Sequence, residues 1–186
     1  MRGFLGFKLA DEFAREVESF VAGWPLDPAL RPTLREDLHV TVKFLSEFSS
    51  SVFFACLPEL IALGPAPVAE LRVGRLAIWP TVVALECEAS EELREWHGRV
   101  NALLERRGFI HERHPLYHPH ITLARRRGRP GMPVGELHAE TNAALLGAAD
   151  FFAGRVVSLR PLSLFQSQAE ETGRRHRAIL SPLYPA

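Results

Sequence analysis

The sequence predicts an α+β fold of two pseudo-symmetric lobes, each an antiparallel sheet with outer helices, around an active-site cleft. Three observations predict it. A His-apolar-Thr-apolar tetrad occurs twice, as His39-Val40-Thr41-Val42 and His120-Ile121-Thr122-Leu123. Each tetrad sits in a similar series: a helix before it, a helix after it, then two strands. The chain has 186 residues, of which 47% are apolar, so residues 1–186 suffice for one domain with a substantial core.

Taken in order, residues 3–9 are apolar and predict a strand. Ala10-Asp11-Glu12 opens a helix with acids in its first turn, where the dipole favours them. Phe13, Val17, Phe20 and Val21 continue it at helical spacing to about residue 22. Gly23, Pro25 and Pro32 predict a loop, and residues 34–45 carry the first tetrad strand. Ser49-Ser50 can cap a helix over 51–63, which Pro58 disfavours unless it falls in the first turn. After the break Gly64-Pro65-Ala66-Pro67, residues 68–78 and 81–88 predict a hairpin around Trp79-Pro80. Ser90-Glu91-Glu92 begins the clearest helix, with Leu93, Trp96, Val100, Leu103 and Leu104 on one face and Gly108 beyond its end. The second tetrad strand spans about 118–125. Arg125 to Gly131 is a basic, turn-rich loop, and 134–148 predict a helix. Residues 152–165 and 176–183 predict the last two strands, with a polar loop over 166–175. The second half thus repeats the first without its opening strand.

Side chains alternate faces along a strand with a period of two. His39, Thr41 and Lys43 therefore share one face, and Val40 and Val42 the other. His120 and Thr122 likewise oppose Ile121 and Leu123. A regular strand turns Arg125 away from His120. A pseudo-twofold axis would bring the two His/Thr faces together in one cleft.

The formal net charge is zero. That argues against a broad nucleic-acid groove, which needs excess Lys and Arg, and allows a local site for a small anion. Cys56 and Cys87 lack metal-type spacing and are expected to be reduced thiols. The N-terminal apolar run is too short for a signal peptide and is interrupted by charge. No stretch approaches the roughly 20 apolar residues of a membrane span. A monomeric, cytoplasmic protein without membrane attachment is expected. His111, His114, His118 and His120 invite a zinc reading, but no carboxylate or cysteine completes a usual spacing, so no metal and no cofactor is expected.

Two imidazoles on one cleft can act as general acid and base, because a pKa near 6.5 lets one be neutral and the other protonated. Two threonine hydroxyls can donate to phosphate oxygens as negative charge develops. Lys43 adds positive charge on the His39 face. The set suits a small, strained phosphodiester.

The paired tetrads resemble the His-x-Thr-x signatures of the 2H phosphoesterase superfamily. His39-Val-Thr-Val-Lys-Phe-Leu and Pro119-His120-Ile-Thr-Leu-Ala-Arg resemble its bacterial and archaeal branch, the RNA 2′,3′-cyclic phosphodiesterases once called 2′-5′ RNA ligases. The likeness extends to the apolar first strand, the helix before the second tetrad and the closing Leu-x-Leu-Phe-Gln-Ser segment. Lys43 and His118 stand where arginine is common in the family, and Ser46 where glycine is common. The resemblance implies a bilobal fold and metal-independent opening of a terminal 2′,3′-cyclic phosphate to a 2′-phosphate. It implies His120 as proton acceptor, His39 as proton donor, and Thr41 and Thr122 on the phosphate, with Lys43 and Arg125 as further substrate contacts. The expected partner is RNA with a 2′,3′-cyclic phosphate end, or a small cyclic nucleotide. RNA ligation in the same site, or end binding without turnover, are the alternatives.

Overall fold

A computed structural model describes residues 2–25, 27–45, 48–109, 116–126, 137–170 and 173–184. The elements are β1 (Gly3–Lys8), α1 (Asp11–Ala22), β2 (Leu30–Pro32), a 3₁₀ turn (Arg35–Asp37), β3 (His39–Leu45), α2 (Ser50–Ala62), β4 (Glu70–Ile78), β5 (Val82–Cys87), α3 (Glu91–Arg106), β6 (His120–Arg126), α4 (Ala139–Gly147), β7 (Val156–Ser158), β8 (Ser163–Glu170) and β9 (Gly173–Leu180). The fold is α+β and two-lobed, as expected. Its strands form one antiparallel sheet in the order β7-β4-β5-β6-β3-β1-β8-β9, with β2 added alongside β6.

The tetrad strands are neighbours at the middle of this sheet. They meet at a single pair, Val40 and Ile121. Each has on its outer side the strand that precedes it in sequence across one helix: β1 beside β3, and β5 beside β6. The repeating unit is therefore strand, helix, tetrad strand, helix, realised as β1-α1-β3-α2 and β5-α3-β6-α4 apart from the short β2. This corrects the expected repeat. The second unit does not lack its opening strand; β5 is that strand. The closing strands β8 and β9 return to the β1 side.

The helices cover one face of the sheet. Phe13 and Val17 of α1, Phe53 and Leu60 of α2, and Leu93, Trp96, Val100, Leu103 and Leu104 of α3 join Val40, Leu45, Ile121 and Leu123 in one core. Ser90 caps α3, its hydroxyl accepting from the Leu93 amide at 3.2 Å. Phe4, Val82, Ala84 and Phe165 are also buried but stand outside that core, because they lie on the opposite, open face.

Four expectations are revised. Pro58 lies inside α2 rather than in its first turn; it is exposed, so the carbonyl it leaves unpaired is on the solvent side. The loop over 23–33 contains β2, held by pairs from Leu30 to Arg126 and from Pro32 to Ala124. The strand over 152–165 is interrupted, β7 and β8 being separate. The polar loop over 166–175 is largely the β8–β9 hairpin, whose register runs from Leu164 and Leu180 out to Glu170 and Gly173. Apolar periodicity does not show strands that extend past the core. Of the predicted helix over 134–148, α4 covers Ala139–Gly147, and residues 134–136 lie outside the described residues.

Candidate functional site

The antiparallel pair Val40–Ile121 sets His39 beside Thr122 and Thr41 beside His120. Each histidine thus adjoins the threonine of the other tetrad. The two rings are held alike. Nδ1 of His39 donates to the Asp37 carbonyl at 2.6 Å, and Nδ1 of His120 donates to the His118 carbonyl at 2.9 Å. A carbonyl only accepts, so each neutral ring carries its proton on Nδ1 and keeps Nε2 as the working nitrogen.

Both tetrad strands bulge directly after the threonine. Between β1 and β3, Leu5 faces Lys43 but Gly6 faces Thr41, which leaves Val42 as the extra residue. Between β5 and β6, Val83 faces Ala124 but Ala84 faces Thr122, which leaves Leu123 extra. A bulge resets the alternation of side chains. In β3 it turns Lys43 to the helix side, where it is 6% exposed and pairs with Glu105 of α3 at 3.3 Å. Phe44 takes the open face, 39% exposed and edge-on to Phe4 at 6.2 Å. In β6 the same reset buries Ala124 and brings Arg125 to the His120 face, close enough for its charge to act on His39. The expected placements are therefore inverted at both positions. Lys43 leaves the His39 face, and Arg125 joins the site.

The β3 bulge is tied from the helix side. Nε2 of His97 donates to the Val42 carbonyl at 3.0 Å, and the Tyr117 hydroxyl donates to the Thr41 carbonyl at 3.2 Å. The His97 and Tyr117 rings stack at 4.0 Å. Gly6 is needed where β1 passes the bulge: a Cβ there would lie 2.7 Å from the Val40 carbonyl oxygen.

The surroundings of the two imidazoles differ. His39 is 6% exposed and stacked on Phe4, with centroids 4.3 Å apart and planes at 24°. Burial holds it well below the ordinary imidazole range, and the positive potentials of His176, Lys8 and Arg125 act in the same direction against its bond to Asp37. His120 is partly exposed, with the Trp79 indole edge-on at 4.8 Å. Phe4, Trp79, Asp37, His97 and His176 escaped the sequence reading as site residues. Phe4 reads only as part of an apolar strand and Trp79 only as part of a hairpin, and nothing local marks the others.

Cys56 and Cys87 are free thiols. Burial pushes Cys87 up to about 12 and raises Cys56, so neither is a ready thiolate. Of the four clustered histidines, His111 and His114 lie outside the described residues, as do Ser46, Arg127 and Arg129. Among the described residues no group of His, Cys, Asp and Glu is arranged to hold a metal ion, and no helix is long and apolar enough to cross a membrane.

No protein-family model matches the chain, and no curated protein matches it in sequence. Solved structures match it over nearly its whole length. TT0787 of Thermus thermophilus is 20% identical with a TM-score of 0.68, covering 100% of both chains. E. coli LigT complexed with 3′-AMP is 21% identical with a TM-score of 0.71, covering 96% of this chain and 94% of that one. A structure described as a phosphoesterase is 20% identical with a TM-score of 0.68, covering 96% and 95%. LigT has also been seen with ATP, NADP+ and phosphate. The chain has the fold of these proteins.

Proposed function

We propose that this chain is a 2H phosphoesterase that hydrolyses RNA 2′,3′-cyclic phosphate ends to 2′-phosphomonoesters. The observation that carries the reading is the crossed pairing of two equivalent imidazoles, each with Nδ1 tied to a carbonyl and each beside the threonine of the other tetrad. In the reaction a water oxygen attacks phosphorus while Nε2 of His120 takes the proton of that water. The bond from phosphorus to the ribose 3′ oxygen breaks, and Nε2 of His39 returns a proton to that oxygen. The Thr41 and Thr122 hydroxyls donate to the non-bridging oxygens, and Arg125 offsets their charge. Two imidazoles supply both proton transfers, so the step needs no metal.

A strained cyclic phosphate also fits the charge of the site. It is a compact anion, and the buried His39 gains a proton most readily when that anion is next to it. The nucleotides and phosphate held by LigT support a nucleotide phosphate as ligand here.

The test is turnover of a nucleoside 2′,3′-cyclic phosphate in EDTA by the intact protein, with His39→Ala and His120→Ala alongside. Turnover to the 2′-phosphate, lowered steeply by either substitution, is expected. An unchanged rate in either variant overturns the assignment. Release of 3′-phosphate means the ring opens at the other ribose oxygen, and joining of RNA ends at high concentration reveals ligation, in which an RNA hydroxyl takes the place of the attacking water in the same site. Tight stoichiometric binding without product indicates an end-binding protein.

A further inference from the structure

A third histidine reaches the open face. His176, on β9, places its ring edge-on to His39 with centroids 4.8 Å apart and planes at 81°. It is also edge-on to Phe4 at 4.9 Å. Two strands, β1 and β8, lie between β9 and β3, so no backbone ladder brings these rings together. Asp37 does. It is 3% exposed; its carbonyl accepts from Nδ1 of His39 at 2.6 Å, and its Oδ1 accepts from the His176 amide at 2.9 Å. One buried residue thus holds the His39 ring and the backbone that carries His176.

We propose that His176 is a positioning residue of the site, a third imidazole that holds the His39 ring against Phe4 and keeps a second positive charge off the histidine pair until an anion binds. This rests on His39 being a working group, as proposed above. Phe4 lies flat on His39, and His176 meets both rings edge-on, so the imidazole is confined by packing as well as by its bond to Asp37. The charged groups around the pair come from each neighbouring element. Lys8 lies on β1, Glu36 and Asp37 on the 3₁₀ turn, Arg175 on β9 and Arg125 on β6; β8 presents the apolar Phe165. Arg175 pairs with Glu36 at 2.7 Å and approaches Asp37 at 3.6 Å, while Lys8 approaches Asp37 at 3.9 Å. These cations already balance the two carboxylates, and Arg125 adds positive charge. A second proton on the histidine pair therefore has no local counter-charge. A phosphate oxyanion supplies one, and substrate binding thereby loads the donor proton on His39.

The experiment is an NMR titration of the histidine Hε1 signals in the unliganded full-length protein, with His39→Ala to assign the His39 resonance. His176→Gln removes the third imidazole's charge and ring, and His176→Phe restores a ring. In wild type, His39 and His176 are expected to titrate as a coupled pair. In both variants His39 should titrate in one step, moved up by about 0.5–1 pH unit, as expected for losing a charge roughly 5 Å away in a polar surrounding. The kcat on a cyclic nucleotide should fall about tenfold in His176→Gln, as for a misplaced proton donor, and recover in part in His176→Phe. A His39 titration that moves in neither variant, or a kcat for His176→Gln within about twofold of wild type, overturns the proposal. The titration needs no turnover, so it decides the role of His176 even for a protein that proves not to hydrolyse cyclic phosphates.

Discussion

The two half-sites begin from the same four-residue pattern and end in different surroundings. In both, a histidine ring is tied through Nδ1 to the carbonyl two residues before it, and a bulge follows the threonine. Gly6 faces Thr41 where Ala84 faces Thr122, and Lys43 occupies the place of Ala124. Yet His39 is enclosed by Phe4 and His176, while His120 is partly open beside Trp79. An identical local geometry supplies two equivalent imidazoles; the neighbours make them unequal. The enclosed ring holds a proton poorly without an anion, and the open ring has access to water. That division suits donation from His39 once phosphate has bound and acceptance at His120.

The sharpest way to break this comparison is to remove each ring. His39→Ala and His120→Ala should each lower kcat/KM by about 10²–10⁴-fold, the usual contribution of a general acid or base. Activity at elevated imidazole concentration should return more readily for His120→Ala, whose site is open, than for His39→Ala. Equal rescue of both would remove the difference in access.

A smaller effect is expected where the halves differ by one methyl group. Gly6→Ala would force a Cβ to 2.7 Å from the Val40 carbonyl, whereas Ala84 already carries one at the matching position. Gly6→Ala should cost about 1–3 kcal/mol of unfolding free energy, the range for overpacking. Ala84→Gly should cost about 1 kcal/mol, as for glycine in a strand interior. Urea denaturation compares them, and equal losses would mean that the β1–β3 bulge is not constrained as described.

The bulges themselves are tested at Arg125 and Lys43. Arg125→Ala should raise KM about tenfold for a cyclic nucleotide, the loss of one charge-assisted contact. Lys43→Met should leave KM unchanged and alter stability by less than about 1 kcal/mol, since its partner Glu105 is substantially exposed. The reverse pattern would mean that both strands keep regular alternation in solution.

The least effect comes from pH alone. The folded pKa of His39 lies below its unfolded value, so the unfolded chain binds the extra proton. The stability associated with its neutral form is complete above the ordinary imidazole range and is lost as pH falls through it. Denaturation midpoints compared at about pH 7.5 and about pH 5.5, on either side of the ordinary imidazole pKa, should fall less in His39→Phe than in wild type. An equal fall in both would place the effect elsewhere.

Much of this protein was legible in its sequence, for a local reason. Alternation within a strand is a property of the strand, so His39 with Thr41, and His120 with Thr122, could be placed on common faces from the tetrads alone. The face of α3 was equally plain, because Leu93, Trp96, Val100, Leu103 and Leu104 keep helical spacing, and all are buried. The reading failed one residue beyond each threonine. A bulge depends on the partner strand, here on Gly6 and Ala84 in strands distant in sequence, and nothing within residues 39–45 or 120–126 announces it. The structure accordingly exchanged Lys43 for Arg125 on the open face. It also brought in His176, which reaches His39 across two intervening strands through Asp37. Residue order alone was enough to specify two His/Thr strands in an α+β chain, because periodicity is local. Which strands pair, where they slip by one residue, and how differently the two histidines are surrounded all came from the folded arrangement, because each depends on contacts between distant parts of the chain.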